Sequence, residues 1–309
     1  MRWREVDGEW TTQQAEWLSE PTDSVSSRLQ SHRRVWDALY CGELLRDVGT
    51  LIPYHHGEVA AVGDSESVEQ VICGALTRDR HHSRRDITAA VREFCDRCAP
   101  SVVAAGQAAF EIILSKSEEN APAPEAFNLM HVQNYRKRFG RPMQYRPGRG
   151  WTQLDGNLLV VFEMDKARRG AIRSAMESLA VASRHQNALH EMVLNRPPGY
   201  DFKAHQEREA IGISRATRTL GWSSSMFAKY ARGPYQVSRH LTWYEFRLEL
   251  REMAIDGLNR ALRIAGAAMG FDVQLEVRDL PTRDDIAEAR KRLEGGRCGR
   301  LVDLMEPFY

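Results

Sequence analysis

ARRGAIRSAMESLAVASRHQNALHEMV, residues 167–193, and FKAHQEREAIGISRATRTL, residues 202–220, are the two stretches whose reading decides the fold. In the first, Ile172, Met176, Leu179, Leu189 and Val193 recur at helical spacing and make one apolar stripe. Arg196-Pro197-Pro198-Gly199 breaks that helix sharply. The second stretch runs to Leu220, where Gly221 is a C-cap candidate. Two long helices joined by so short a break predict a hairpin. Arg168, Arg169, Arg173 and Arg184 lie on its first arm, and Lys203, Arg208, Arg215 and Arg218 on its second.

The charge of the chain is concentrated there. Over 309 residues the net charge is only +1, but Asp165–His240 carries thirteen Lys/Arg against six Asp/Glu. Leu241–Tyr309 has eleven against thirteen, so the positive potential is local to the middle of the chain. With 42% hydrophobic and 28% charged residues, the composition is that of a globular protein with a substantial core. No apolar run approaches a bilayer span, and the charged Met1–Asp7 stretch is not expected to be a signal peptide. Five cysteines, Cys41, Cys73, Cys95, Cys98 and Cys298, suit a reducing compartment better than a disulfide framework.

Outward from the hairpin, the N-terminal side is mixed. Trp3, Trp10, Trp17 and Trp36 stand in a polar arm that leads into a helix around Ser27–Val48, closed by Pro53 and Gly57. Val59–Val62 and Val68–Leu76 are short elements. Asp86 N-caps a helix to Cys98, with Ile87, Val91, Phe94 and Cys95 on one face, and Pro100 is expected to stop it. Strands are predicted at Ala108–Leu114, Phe127–Val132, Pro142–Tyr145 around a Gly140 turn, and Leu158–Glu163. On the C-terminal side, Trp222–His240 reads as a loop. Thr242 is expected to cap a long helix to Met269, ended by Gly270. The alternation of Phe271, Val273, Leu275 and Val277 marks a strand, and Thr282 with Asp285 marks the capping box of a last helix. The fold class is therefore α+β, predominantly helical.

No catalytic constellation emerges. Cys95-Asp96-Arg97-Cys98 is one ligand pair where a structural zinc site needs two, and the cysteines read better as small core residues. His185 and His190 are five apart and do not share a helix face. Gly148-Arg149-Gly150 is a turn, not a phosphate loop. Asp64, Glu66 and Glu69 in a Gly/Ser-rich loop, and the Arg78–Arg85 cluster, read first as solvated charge. No metal, cofactor or catalytic residue is expected. Two other readings stay open: a metal-dependent nuclease built on His55, His56, Asp64 and the Arg78–Arg85 loop, and a non-enzymatic DNA-binding module acting as monomer or dimer.

The order of elements resembles that of phage portal (head-to-tail connector) proteins. Ala104–Ile112 is similar to the portal strand of the form Gly-x-x-x-x-Glu-Ile, and Phe127-Asn128-Leu129 and Gln144-Tyr145 follow where portals place the next hairpin. Arg168-Arg169-Gly170 stands before the long helix, Arg218-Thr219-Leu220-Gly221-Trp222 resembles the end of a stem helix, and Arg251–Asn259 followed by Gly270–Leu275 resembles the helix-Asn-helix-Gly-strand run. The similarity covers roughly Ala104–Gly296. It departs where portals insert a clip domain, because Asn195–Asp201 leaves room for little more than a turn.

The resemblance implies an arm and helix over 1–60, an α/β wing over 61–165, a stem hairpin with minimal clip over 166–221, a tunnel loop over 222–241, and a wing helix, strand and terminal helix over 242–309. It implies a closed homo-oligomeric ring, of about twelve copies, at a capsid vertex. Double-stranded DNA would pass through it independently of sequence. Capsid protein, a packaging ATPase that supplies the force, and a tail adaptor would be its partners, with no membrane. Such a protein is assembled in the host cytoplasm and resides in the virion. Arg184, Lys203, Arg208, Arg215, Arg218, Lys229, Arg232 and Arg239 would meet phosphates in the channel. Trp222, Phe227, Tyr230 and Tyr235 would pack the tunnel loops.

Overall fold

Asp86 starts the helix around which the rest is built. Its carboxylate accepts the backbone N–H of Ala89 at 2.6 Å, and the helix, α3, runs over Ile87–Ala105 to a left-handed Gly106. The computed structural model describes residues 39–53, 57–63, 66–77, 86–115, 126–146, 148–194, 201–224 and 234–295. Before α3 come α1 (Leu39–Gly49), β1 (Glu58–Gly63) and α2 (Glu66–Leu76). After it come β2 (Gln107–Ser115), β3 (Ala126–His131), β4 (Tyr135–Arg138), β5 (Arg141–Arg146), β6 (Gly150–Gln153) and β7 (Leu159–Glu163). The second half holds α4 (Lys166–Leu194), α5 (Phe202–Ala216), α6 (Pro234–Met269), β8 (Val273–Arg278) and α7 (Arg283–Glu294). The fold is a mixture of helix and sheet of the α+β class.

Pro100 does not stop α3, contrary to the expectation. A proline inside a helix forfeits one hydrogen bond and strains a turn. Here Cys98, Ala99, Val102 and Val103, on either side of it, are all buried, and their burial outweighs that loss. Cys95 and Cys98 are buried in the same helix. Removal from water pushes the Cys95 thiol up to about 12 and the Cys98 thiol well above its ordinary range, so both are protonated packing groups. The Ser27–Val48 helix is seen from Leu39 onward.

Among the described residues three antiparallel sheets flank the helices, ordered β1-β8, β3-β2-β7 and β4-β5-β6. The middle sheet lays its apolar face on α3. Phe94 of α3, Phe110 of β2 and Phe162 of β7 form a ring cluster with centroids 5.0, 5.3 and 5.5 Å apart. α6 crosses this cluster at Gly257, where a Cβ would lie 2.1 Å from the Phe162 ring. Only glycine allows that approach, which explains a glycine within a helix. The β4-β5-β6 meander contains two short strands, β4 and β6, that alternation of apolar residues did not mark.

The β1-β8 pair joins the two ends of the described chain, with Ala61 opposite Leu275. Its far edge is closed by a side chain. The Asn259 carboxamide of α6 donates to the Leu275 carbonyl (3.1 Å) and accepts the Leu275 N–H (2.7 Å), as a neighbouring strand would. α7 follows through the expected capping box of Thr282 and Asp285.

α6 begins at Pro234, eight residues before Thr242, so the expected cap is mid-helix. The Thr242 hydroxyl bonds instead to the Ser238 carbonyl at 3.0 Å. The extra turns form because Val237 and Leu241 bury themselves against Ile286 and Ala289 of α7. The last eight residues of the segment expected as a tunnel loop, 234–241, are therefore helix, while residues 225–233 lie outside the described ones.

Replacing Asn259 by Ala leaves a strand N–H and C=O unpaired, and we expect a loss of about 1–3 kcal/mol in urea unfolding. Asn259→Asp should cost at least as much, because a carboxylate cannot donate to the Leu275 carbonyl. An unchanged urea midpoint in both variants would remove this edge contact from the account.

Candidate functional site

The described part of the first helix's stripe faces inward. α4 turns Ile172, Ala175, Met176 and Leu179 into the core and packs against α5, whose Ile213 is buried. The opposite face of α4 presents Lys166, Arg173 and Glu177 to solvent. On α5, Asp201 accepts the Ala204 N–H at 3.0 Å as N-cap, and Lys203, Glu207, Arg208 and Arg215 are exposed, followed by Arg218. Lys203, Arg208, Arg215 and Arg218 are thus open to solvent on the second arm and just past its end. Ile211, between Arg208 and Arg215, is 51% exposed, and Val181 on α4 is 53% exposed.

Other cations of this stretch are used internally. Arg168 pairs with Glu249 of α6 and reaches the Thr219 carbonyl at 3.3 Å, while Arg169 meets Glu163 at 3.5 Å. Arg239, expected to contact phosphate, is 6% exposed. Its guanidinium donates to the Ser214 carbonyl (2.7 Å), to the Trp222 carbonyl and to the Thr217 hydroxyl (3.2 Å). It closes the C-terminal end of α5, where orphan carbonyls and the helix dipole both favour a cation. No phosphate can reach it without breaking that end open.

Trp222 is likewise interior rather than a loop contact. Its indole N–H donates to the Asp47 carboxylate of α1 at 2.8 Å. Burial raises the Asp47 carboxyl above its ordinary range, and the indole hydrogen bond partly opposes that shift. Two residues on, the buried Ser224 hydroxyl donates to Glu43 at 2.7 Å. Gly221 makes this path possible: it is left-handed (φ 73°), and a Cβ there would stand 2.3 Å from the Arg239 carbonyl. The chain between α5 and α6 is therefore anchored at both of its described ends. Tyr235 is 61% exposed, with its hydroxyl held by Arg239 and Ser214, which lower its pKa.

Arg184 lies on α4 with its side chain outside the described residues, as do Lys229, Arg232, Phe227 and Tyr230 altogether. The same holds for His55, His56, His81, His82, Asp64 and the Arg78–Arg85 cluster of the nuclease alternative. Among the described residues no group of three His, Cys, Asp or Glu side chains could hold a metal ion, and no helix is long and apolar enough to cross a membrane. Sequence reading missed the Asp47, Glu43, Ser214 and Thr217 partners. Their polarity signalled nothing, because each is an ordinary surface residue type that tertiary structure buries (Glu43, Thr217) or half-buries (Asp47, Ser214).

No family model and no curated protein matches this chain. Among solved structures it is similar to a chain in the neck of an empty gene transfer agent particle computed with C6 symmetry. The two share 11% identity over 90% of each chain, with a TM-score of 0.48. It is also similar to a chain from the virion of a native gene transfer agent particle, at 10% identity over 94% and 93% of the two chains, with a TM-score of 0.47.

The two arginine populations should separate by mutation. Arg239→Met removes the hydrogen bonds to both Ser214 oxygens, the Thr217 hydroxyl and the Trp222 carbonyl, and urea unfolding should show a loss of about 2–4 kcal/mol. Arg208→Ala, Arg215→Ala and Arg218→Ala should each stay within about 0.5 kcal/mol of the parent. Equal midpoints for all four variants would contradict this division.

Proposed function

We propose that the chain is a structural, non-enzymatic protein of a tailed-phage-like virion, a portal that closes into a ring of about twelve copies at the capsid vertex. In this reading 166–221 is the stem, 61–165 and 242–309 supply the wing, and the ring admits double-stranded DNA during packaging and ejection. Capsid protein, a packaging ATPase and a tail adaptor would dock on it.

The observation that carries the reading is the uncovered outer side of the hairpin. A single chain leaves Ile211, between Arg208 and Arg215, half in water, and Val181 on α4 likewise. A heterologous contact between neighbours, one arm against the other, would cover the apolar pair and repeat the basic residues around an axis. Repeated in that way, Lys203, Arg208, Arg215 and Arg218 make a positive wall that holds a phosphate backbone without reading bases. The short α4–α5 connection and the long α6, followed by β8 and α7, keep the element order that suggested portals.

The test is the mass of the purified chain in solution with negative-stain images of the same fraction. A large species with a central hole is expected, and Val181→Glu with Ile211→Glu should disperse it while leaving the urea midpoint unchanged. A chain that stays monomeric or dimeric at high concentration and binds duplex DNA in that state would overturn the ring in favour of the DNA-binding module.

A further inference from the structure

The most concentrated charge in the described chain lies in the small sheet, not the hairpin. Residues 135–153 contain Arg136, Lys137, Arg138, Arg141, Arg146 and Arg149, with no Asp or Glu among them. None of these six has an acidic partner among the described residues. Arg146 bonds only to its neighbour Gln144, at 2.8 Å.

The strand register sorts these residues by face. Arg136 is opposite Met143, Arg138 opposite Arg141, and Tyr145 opposite Trp151, so all of these side chains share one side of the sheet. On that side Tyr145 packs on Trp151 (5.4 Å between centroids) and Arg138 lies over the Trp151 ring at 4.8 Å. The other side is anchored at its base. Tyr135 packs with Ala109, Val132 and Leu154, Gln107 donates to the Tyr135 carbonyl at 3.3 Å, and Leu154 N–H donates to Pro142 at 3.0 Å. The basic, aromatic side is thus turned away from the protein.

The tip adds an independent sign. The two-residue turn between Arg138 and Arg141 is Phe139-Gly140, both left-handed, with φ 49° and 77°. Such a turn takes Asn-Gly or Gly-Gly by preference, and a bulky aromatic in the first position is strained. Phe139 is nevertheless 95% exposed. Neither backbone conformation nor burial rewards phenylalanine here.

We propose that this face of the β4-β5-β6 meander is a second nucleic-acid contact, with Arg136, Arg138 and Arg141 on phosphates and Phe139 against a base. Three guanidinium groups interleaved with aromatic rings on one sheet face match a polynucleotide, which offers both phosphate charge and π-faces. An acidic protein surface would match the charge alone and give the exposed ring at the tip nothing to stack on. The proposal does not depend on ring formation, since every residue it uses belongs to one chain.

The experiment is fluorescence anisotropy of the full-length protein with a labelled short DNA duplex and a labelled oligo-dT, across a range of salt. For Arg136→Ala/Arg138→Ala/Arg141→Ala, affinity should fall about tenfold or more, and the slope of log K against log salt should shrink by about 2–3. Phe139→Asn should weaken binding while its urea midpoint holds or rises, a split that a merely structural role would not give. Greater loss on oligo-dT assigns Phe139 to base stacking, and greater loss on the duplex assigns it to a wedge in the groove; either supports the site. Parent-like binding by the folded triple variant would overturn it. So would competition by polyglutamate as effective as that by unlabelled DNA, which would give the patch to an acidic protein partner, a second copy included. A chain that stays monomeric would leave the predicted binding loss intact, so the two proposals fail separately.

Discussion

A helix ends with carbonyls that have no donor within the helix, and this fold closes several such ends with arginine. Arg247 of α6 reaches the Thr50 carbonyl just past α1, and Arg239 of the same helix closes α5 at Ser214. Arg97 of α3 takes the last carbonyl of α2, Leu76. Arg92 holds Ile52 and Pro53, both at 3.0 Å, while Arg251 and Arg260 hold Pro281 (2.7 Å) and Val161 (3.1 Å). A guanidinium offers several donors on a long stem, so it spans between elements where a backbone group cannot. It also places positive charge where the helix dipole is negative. Removing a cation from water is costly, and these bonds are what make the burial tolerable. α6 supplies four of these arginines, which lets one helix position α1, α5, β7 and the approach to α7.

That constraint changes what the basic residues mean. A surplus of seven cations between Asp165 and His240 suggests a uniformly positive segment. Arg168, Arg169 and Arg239 of that surplus are taken up by Glu249, Glu163 and the end of α5. Among the described residues, the charge left for an outside partner includes Lys166 and Arg173 on α4 and Lys203, Arg208, Arg215 and Arg218 on and after α5. The β4-β5-β6 meander has the reverse arrangement: its cations are close together, Arg136, Arg138 and Arg141 share one face, and none has an acidic partner among the described residues. Among the described residues there are thus a structural set of arginines and solvent-facing basic residues on both the helices and a sheet.

Local signals were legible in the residues. Asp86, the Thr282–Asp285 box, the alternation of Val273, Leu275 and Val277, and the stripe of α4 each specify an element through contacts within a few residues. The failures are all tertiary. Pro100 continues a helix because both of its flanks are buried. Thr242 yields its cap role because Val237 and Leu241 find α7. β4 and β6 escaped notice because a meander that buries only its base shows no apolar alternation. Arg239 and Trp222 were read as loop residues, and nothing local distinguishes a guanidinium that will close a helix end from one that will meet a phosphate.

That distinction is the centre of the account. Hydrogen–deuterium exchange of the full-length protein, with and without saturating DNA duplex, tests it most directly. The account predicts slowed exchange in 135–153 and along the outer residues of α5, with the α6 turns around Arg239 and Arg247 unchanged. Protection that spares both basic surfaces, or that centres on the Arg239 turn, would contradict it.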